Sequence, residues 1–268
     1  MDKLIVVKGG GDIATGIAHR LFRSGFKVLV TELCQPTVVR RTVAFAEAVY
    51  NGETVVEGVR AVRTEPAAVA EAIRSGVVPV VVDPGGEYLG RLDCLAVVDA
   101  ILAKKNTGTR REDAAIVIGV GPGFAAPADV HAVVETMRGH DLGRVIYEGS
   151  AAANTGIPGE VGGYTTERVL RAAAAGVFVG RKTIGDYVEA GEVVGVVDGK
   201  PVLATIPGIL RGLLHDWLHV TAGFKLGDID PRCQQSHCYT ISDKARSVGG
   251  GVLEAILALS ATRRNKSG

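Results

Sequence analysis

Short β-branched runs and a stretch of helical periodicity alternate at the start of the chain. Leu4–Lys8 and Lys27–Thr31 are apolar runs of strand length, which predicts two buried strands. Between them, Ile13–Phe22 carries apolar residues at helical spacing, and Gly25 is suited to end that helix. The pattern therefore predicts a β-α-β unit whose first turn contains three consecutive glycines, Gly9–Gly11.

The middle of the chain predicts further β structure and one short helix. Pro66–Ser75 has helical spacing with proline in its first turn, which favours a helix. Residues 129–137 and 144–149 have a period near two on either side of a loop, which predicts a hairpin. The other β-like runs of this region are Thr54–Gly58, Val59–Arg63, Val77–Val82 and Ala114–Gly119.

The last hundred residues combine a β-rich repeat with a terminal helix. Val188–Gly191 and Val220–Gly223 share the pattern V-x-x-G followed by a strand, which indicates two similar halves of a small β-sandwich. Upstream of them, Thr165–Ala173 has helix-like spacing. Ser242–Thr262 predicts a helix with Ser242 as its N-cap. Gly249–Gly251 would be a poor helix interior unless another element packs closely there.

These elements together predict an α/β fold. The N-terminal region is expected to be Rossmann-like, and a small barrel-sandwich (biotinyl/lipoyl-like) β module is expected towards the C-terminus. The predicted boundaries are residues 1–170 for the α/β domain with its β-hairpin, 171–235 for the β module and 236–268 for the terminal helix.

Composition narrows the class of protein. Hydrophobic residues make up 47% of the chain, which excludes a wholly disordered protein. The 30 basic and 29 acidic residues give a net charge of +1, so charge offers no argument for a nucleic-acid or membrane partner. The four cysteines lack the spacing of a metal site, so no metal is predicted and reduced thiols in the cytoplasm are expected.

The glycine turn is the first candidate binding site. Gly9, Gly10, Gly11 and Asp12 stand between a predicted strand and a predicted helix, where backbone N–H groups and the helix N-terminus favour a phosphate. Glu32 ends the second strand, at the position where an acidic residue can bind a ribose hydroxyl. The alternative is a tight turn capped by Asp12 with no ligand.

Three groups could add contacts to the same ligand. Arg40 could hold a phosphate, because the guanidinium fork matches phosphate oxygens. Gly121 and Gly123 follow a predicted strand and could form a second anion-binding turn. Arg138 and His140 lie in the hairpin loop, at the expected edge of a cleft. For Arg40 the alternative is a solvated charge pair with Arg41, for the two glycines an ordinary loop, and for the hairpin a solvated loop.

Cys238 is the candidate for a reactive thiol. It precedes the predicted N-cap Ser242, and Lys244 and Arg246 follow in the first turns of the helix. A helix N-terminus and nearby cations stabilise a thiolate. The alternative is a buried cysteine that acts as a small hydrophobic residue.

Long stretches of the chain resemble one known family. They are KGGGDIATGIAHRL, TELCQPTVVRRTVAFAEAVY, VIGVGPGF, HAVVETMRGHDLGRVI, NTGIPGEVGG, LRGLL, KLGDIDPR and CYTISDKARSVGGGVLEAIL. In this order they resemble the accessory protein of the selenium-dependent molybdenum hydroxylase system, a family related in description to xanthine dehydrogenase maturation factors. The resemblance implies a bacterial cytoplasmic protein whose partner is the hydroxylase apoenzyme or its cofactor machinery.

Three hypotheses about function remain open from the sequence. The first is a maturation factor that binds a nucleotide or a pterin-dinucleotide molybdenum cofactor, with Cys238 able to handle sulfur or selenium. The second is an NAD(P)-dependent oxidoreductase that uses the same glycine turn. The third is a non-enzymatic scaffold that docks the hydroxylase. Whether a reaction is catalysed, and whether the chain forms a homo-oligomer, both stay open.

Overall fold

The computed structural model describes residues 4–267 and divides into two compact units. Residues 1–3 and 268, at the outer ends of the predicted segments 1–170 and 236–268, lie outside the described part. The first unit comprises Met1–Cys34, Phe45–Asn154 and Ile241–Gly268. The second unit comprises Gln35–Ala44 and Thr155–Thr240.

Within residues 4–267, the first unit contains a nine-stranded sheet of order β3-β4-β5-β2-β1-β6-β7-β8-β9. Its strands are β1 Leu4–Lys8, β2 Lys27–Glu32, β3 Glu53–Val56, β4 Val59–Arg63, β5 Val78–Val82, β6 Ala96–Asp99, β7 Ile116–Val120, β8 Ala132–Val134 and β9 Val145–Ile146. Its helices are α1 Asp12–Arg23, α2 Ala48–Asn51, α3 Val69–Arg74 and α4 Asp243–Ser267, and short 3-10 helices cover Phe45–Glu47, Pro66–Ala68, Leu89–Arg91 and Arg111–Asp113.

The central strands are parallel and buried. β1 lies between β2 and β6, and β6, β7 and β8 follow in parallel. Ile5, Val6 and Val7 are fully inaccessible to solvent, as is typical of a strand covered on both faces. The predicted β-α-β unit and the predicted β8–β9 hairpin are therefore confirmed.

The two long helices pack through glycine. A Cβ placed on Gly16 of α1 would lie 2.7 Å from the Cβ of Ala245 in α4. A Cβ on Gly249 would lie 3.0 Å from the carbonyl oxygen of Gly16, and one on Gly251 would overlap the carbonyl oxygen of Gly143. Gly249 and Gly251 of α4 are thus explained by the close approach of other backbone, whereas a Cβ on Gly250 would have nothing within 4 Å.

The predicted N-cap of α4 is also confirmed. The hydroxyl oxygen of Ser242 accepts a hydrogen bond of 3.2 Å from the N–H of Ala245, the contact that an N-cap side chain makes. Within residues 4–267 no helix combines the length and the apolar character that crossing a membrane requires.

In the described residues, the second unit consists of two four-stranded antiparallel sheets around one hydrophobic core. The first has the order β10-β17-β15-β12 and the second the order β14-β13-β11-β16. The strands are β10 Val169–Arg171, β11 Gly176–Gly180, β12 Tyr187–Val188, β13 Val193–Val197, β14 Lys200–Leu203, β15 Gly208–Leu213, β16 His219–Val220 and β17 Lys225–Asp230, and 3-10 helices cover Arg41–Val43 and Gln235–Cys238.

The predicted fold class, a Rossmann-like region followed by a barrel-sandwich module, is wrong. The large sheet is mixed, because the β3–β4 and β8–β9 pairs are antiparallel. Of its helices, α2 and α3 have only four and six residues, and the helix that packs on α1 comes from the far end of the chain. The β module does not stand alone, because Gln35–Ala44 belongs to the same unit.

The helix predicted at Thr165–Ala173 is also wrong. Val169–Arg171 forms strand β10, which pairs with β17 in antiparallel fashion. Val169 and Leu170 are both buried. Packing against the neighbouring strand has overridden a short stretch of helical spacing, as tertiary context often does.

Candidate functional site at the carboxyl edge of the first unit

The glycine turn lies at the edge of the sheet where the parallel strands end. Because β1, β2, β6, β7 and β8 all run in the same direction, the segments that follow them meet at this edge. We call it the carboxyl edge. Open parallel sheets bind ligands at this edge. The segments that follow these strands are therefore the candidate binding segments.

Backbone contacts fix the conformation of the glycine turn. Gly9 has φ +91°, a left-handed value that favours glycine, and its N–H donates to the carbonyl oxygen of Thr31 at 2.8 Å. A Cβ on Gly10 would lie 2.8 Å from the backbone nitrogen of Ala46. Gly11 precedes α1 with φ −65°, which any residue can adopt. Only the first two glycines are therefore required by the local geometry.

Glu32 fastens this turn to the second strand. Its Oε2 accepts a 2.6 Å hydrogen bond from the N–H of Gly10, and its Oε1 accepts one of 2.7 Å from the N–H of Leu33. Burial raises the pKa of Glu32, although these two hydrogen bonds act in the opposite direction. The carboxylate therefore has a structural role at the turn, and its contact with a ribose hydroxyl stays a prediction.

A buried polar cluster holds the segment after β6 against β1. The Asp99 carboxylate accepts a 2.5 Å hydrogen bond from the Thr109 hydroxyl and lies 3.3 Å from Nζ of Lys8. Between Asp99 and Thr109, Leu102 and Lys104 have φ +59° and +64°. Such values are uncommon for residues other than glycine and often mark functional segments.

Two lysines stand out at the carboxyl edge. Lys244 lies in the first turn of α4 and is half-buried. Burial lowers its pKa, and the positive charges of Lys104 and Arg138 lower it further. The negative charges of Asp12 and Glu135 act in the opposite direction. Desolvation also lowers the pKa of Lys104. The sequence prediction missed this pair as a site. The position of Lys104, soon after an apolar strand, was the available signal.

Residues after β7 and β8 complete the edge. Gly121 has φ +80°, and a Cβ there would lie 2.8 Å from the hydroxyl of Thr136. A Cβ on Gly123 would lie 2.7 Å from the Cα of Lys105, so this glycine permits backbone contact between two loops. Close packing therefore explains why glycine occupies both predicted positions. A contact with a ligand stays a prediction for each.

Glu135 and Arg138 organise the end of β8. The buried Glu135 carboxylate accepts hydrogen bonds from the N–H groups of Thr136, Met137 and Ala152 at 2.6–2.7 Å. Arg138 forms a two-pronged ion pair with Asp243 at 2.6 and 2.8 Å. His140 is exposed in the hairpin loop. Of the two residues predicted in the hairpin loop, Arg138 is therefore bound to the start of α4 through Asp243, whereas His140 is not.

Comparison with known proteins gives one strong match. The chain is 51% identical over 258 residues to "Uncharacterized protein YqeB" of Escherichia coli (strain K12). The match covers 96% of the chain and 48% of that protein, so the chain spans about half the length of the relative that it matches. No model of a protein family matches the chain.

Solved structures are similar only at a low level. An aspartoacylase family protein from Mesorhizobium loti gives a TM-score of 0.27 at 10% identity, with 85% of each chain covered. The ectoine utilization protein EutE (DoeB) from Ruegeria pomeroyi gives 0.29 at 12% identity, with 85% of this chain and 84% of that chain covered. Similarity at these TM-scores carries no argument about the function of the chain.

Arg40 and Cys238 belong to the second unit. Arg40 is buried and donates hydrogen bonds to the carbonyl oxygens of His237 and Thr240 at 2.8 and 3.2 Å. Cys238 is fully inaccessible to solvent, and burial raises the pKa of its thiol, although the charges of Arg211 and Arg40 act against this. These features favour the alternative of a buried cysteine that acts as a small hydrophobic residue, and a reactive Cys238 stays a prediction.

Four charged side chains of the second unit form a largely buried network. Asp228 and Asp230 are 3% and 2% exposed. Arg168 pairs with Asp228, and Arg211 lies 3.9 Å from Asp228 and 3.8 Å from Asp230. Paired charges of this kind are expected wherever charged groups are buried. Among residues 4–267, no three His, Cys, Asp or Glu side chains are grouped as a metal site requires.

Proposed function

We propose that the carboxyl edge of the first unit binds the phosphate groups of a nucleotide or pterin-dinucleotide cofactor. The observation that carries this proposal is the placement of half-buried Lys244 in the first turn of α4, close enough to Asp12 of α1 and to Lys104 for their charges to act on it. Bringing like charges together costs free energy, and a bound anion would offset that cost.

Several carboxylates at this edge are already engaged by donors of the protein. The carboxylate of Asp243 is neutralised by Arg138, and that of Glu135 accepts three backbone N–H groups. The N-terminal turns of α1 and α4 approach each other where Gly16 meets Ala245, and each helix start carries partial positive charge. The two lysines and the helix starts would attract phosphate, while the carboxylates of Asp12 and Glu32 at the glycine turn would oppose it.

The residues of the edge fit the phosphate end of such a cofactor. Lysine ammonium groups and backbone N–H groups at a helix start are common phosphate ligands. Gly11 has no side chain at the start of α1, so the backbone there is open to close approach. The bound cofactor would supply any chemistry, and the chain would hold its phosphates and exclude part of the solvent.

The wider role that we propose is maturation of a molybdenum hydroxylase in the bacterial cytoplasm. It rests on the resemblance of the quoted stretches, which extend over nearly the whole chain. The partner would be the hydroxylase apoenzyme or the machinery that delivers its cofactor.

Calorimetric titration with ADP, CDP and NAD+ tests the binding site. We expect Lys244→Gln to weaken binding at least about tenfold, because a hydrogen bond to a charged group contributes roughly 1.5–3 kcal/mol. Gly11→Val should do the same without unfolding the chain, because φ −65° suits any residue. Lys27→Gln, which removes the same charge from the opposite end of β2, is the matched control.

Two results would overturn the proposal. One is equal affinity in the wild type, Lys244→Gln and Gly11→Val, with circular dichroism showing that each is folded. The other is oxidation of NADH or NADPH by the purified chain with an added electron acceptor, which would agree with a nucleotide site but overturn the maturation role in favour of the oxidoreductase hypothesis.

A further inference from the structure

A cavity of about 220 Å³ lies in the first unit between the second half of α1 and the start of α4. It is distinct from the carboxyl edge, because neither the glycine turn nor Lys104 or Lys244 lines it. It is lined by Gly16, His19, Arg20, Arg23, Ser24, Ile241 and Arg246. Arg23 is eleven positions after Asp12 in α1, which corresponds to about 16 Å along the helix.

The lining is strongly basic. It contains three guanidinium groups and one imidazole. Within residues 4–267, the side chains of Arg20 and Arg23 have no hydrogen-bond or ion-pair partner, although the backbone carbonyl of Arg20 accepts from the N–H of Ser24. The third guanidinium, that of Arg246, pairs with Glu57 at 2.7 and 2.9 Å. None of the residues that line the cavity carries a carboxylate.

Arg246 is held in this place by a dedicated contact. Glu57 lies in the turn between β3 and β4 with φ +45°, followed by Gly58 with φ +79°. Its Oε1 accepts hydrogen bonds from Arg246 and, at 2.8 Å, from the N–H of Ile241. The β3–β4 hairpin therefore fixes both the entry into α4 and the position of this guanidinium.

The helix dipoles do not account for the whole cluster. Cations in the last turn of a helix are favoured by its dipole, and this suffices for Arg20 and Arg23 in α1. Arg246 lies in the first turn of α4, where the dipole disfavours a cation. Its placement at the same cavity therefore depends on the ion pair with Glu57 and not on the dipole of α4.

We infer that this cavity binds a phosphate or diphosphate group of a small ligand, as a second anion site of the first unit. Guanidinium groups pair with phosphate oxygens in a two-pronged manner. Arg20 and Arg23 supply the unpaired charges, and Arg246 closes the site from α4. This inference goes beyond the proposed function and stands without it.

Titration with inorganic pyrophosphate in a Lys244→Gln background tests the inference. This background removes a lysine of the carboxyl edge, so failure of the proposed function and failure of the second site can be told apart. We expect one saturable binding event that Arg20→Gln/Arg23→Gln weakens at least about tenfold. Arg91→Gln removes an exposed arginine elsewhere in the same unit and should leave the affinity unchanged.

Three outcomes would overturn the second site. They are absence of pyrophosphate binding in the Lys244→Gln background, an affinity of Arg20→Gln/Arg23→Gln within twofold of its parent, and equal weakening by Arg91→Gln. A citrate titration checks the ligand class, because tighter binding of citrate than of pyrophosphate would contradict a phosphate site. Circular dichroism of each variant ensures that the comparison is made between folded proteins.

Discussion

The backbone N–H of Gly10 donates a 2.6 Å hydrogen bond to Oε2 of Glu32. This bond links the end of β1 to the end of β2. The conformation of the glycine turn is thus set by the protein before any ligand binds. A turn that is already ordered loses less conformational entropy on binding, which favours affinity.

Replacing Glu32 by alanine is expected to reduce both stability and ligand affinity. Removing the carboxylate leaves the N–H of Gly10 without its acceptor, and an unsatisfied buried donor costs about 1–3 kcal/mol. Urea unfolding measures the first effect and calorimetric titration the second. Glu53→Ala, which removes an exposed carboxylate paired with Arg60 in the same sheet, should change stability by less than about 1 kcal/mol. Equal effects of the two substitutions would contradict the role of Glu32.

Two neighbouring glycines of α4 are expected to respond in opposite directions to alanine. A Cβ on Gly251 would overlap the carbonyl oxygen of Gly143, whereas nothing lies within 4 Å of a Cβ on Gly250. We expect Gly251→Ala to destabilise the chain by about 1–3 kcal/mol or more. Gly250→Ala should stabilise it by up to about 1 kcal/mol, because alanine is the better helix former. Urea unfolding decides, and a change of the same sign in both variants would contradict the packing of α4.

Lys244→Met is expected to stabilise the unliganded chain while it abolishes the anion site. Because the pKa of Lys244 is lowered on folding, its charged form costs free energy in the folded state at neutral pH. Removing the charge should therefore raise the free energy of unfolding at pH 7. This gain should shrink as the pH rises through the lowered pKa, since the folded wild type then loses the same charge.

Thermal unfolding at pH 7 and pH 10, with and without nucleotide, measures both consequences of Lys244→Met. The nucleotide should raise the unfolding temperature of the wild type and not that of the variant. Lys27→Met is the control. A variant that is less stable than the wild type at pH 7 would show that Lys244 is a stabilising residue rather than a binding one.

The four cysteines are expected to alkylate in an order set by burial. Cys34 and Cys233 are exposed, whereas Cys94 and Cys238 are buried. Burial raises the pKa of Cys94 to about 11 and also raises that of Cys238. Peptide mapping after iodoacetamide treatment near neutral pH should show Cys238 reacting at least roughly tenfold more slowly than Cys34. If Cys238 reacts faster than Cys34 in the folded protein, the result would support the prediction that Cys238 is a reactive thiol.

Asp230 is expected to contribute to acid stability. Burial alone would raise its pKa, but hydrogen bonds from Arg232 and the charge of Arg211 outweigh burial and lower it from 3.8 to about 2. The resulting stability of about 2 kcal/mol is present above pH 4 and is lost as the pH falls towards 2. In urea unfolding, the difference between wild type and Asp230→Asn should therefore narrow over this range. A constant difference would contradict the lowered pKa.

Local sequence patterns predict the elements of the chain better than their arrangement. The β1–α1–β2 unit and the Ser242 cap depend on residues close in sequence, and both are found. The mixed sheet depends on which strands reach its edges, and α4 arrives from the far end of the chain to pack on α1. Long-range pairing of this kind leaves no periodic signal, so the Rossmann-like prediction failed.

In the candidate site, too, the features set by neighbouring residues could be predicted and those set by long-range packing could not. The glycine turn follows from a strand, three glycines and a helix, and the structure places it at the carboxyl edge. Lys104 and Lys244 are far apart in sequence. The charge of Lys104 acts on Lys244 only because α4 begins beside α1, near the segment after β6. The interpretation of Glu32 as a ribose ligand was based on an offset in sequence, which cannot show that its carboxylate accepts the N–H of Gly10.

Native mass spectrometry of the chain, purified from a bacterial host grown with molybdenum, tests most directly whether the carboxyl edge holds a phosphate-bearing cofactor. The comparison is with Lys244→Gln purified in the same way. We predict a noncovalent adduct with the mass of a nucleotide or pterin dinucleotide in the wild type, lost on denaturation and strongly reduced in the variant. A ligand-free mass for both proteins, or an adduct of equal occupancy in both, would contradict the proposed site.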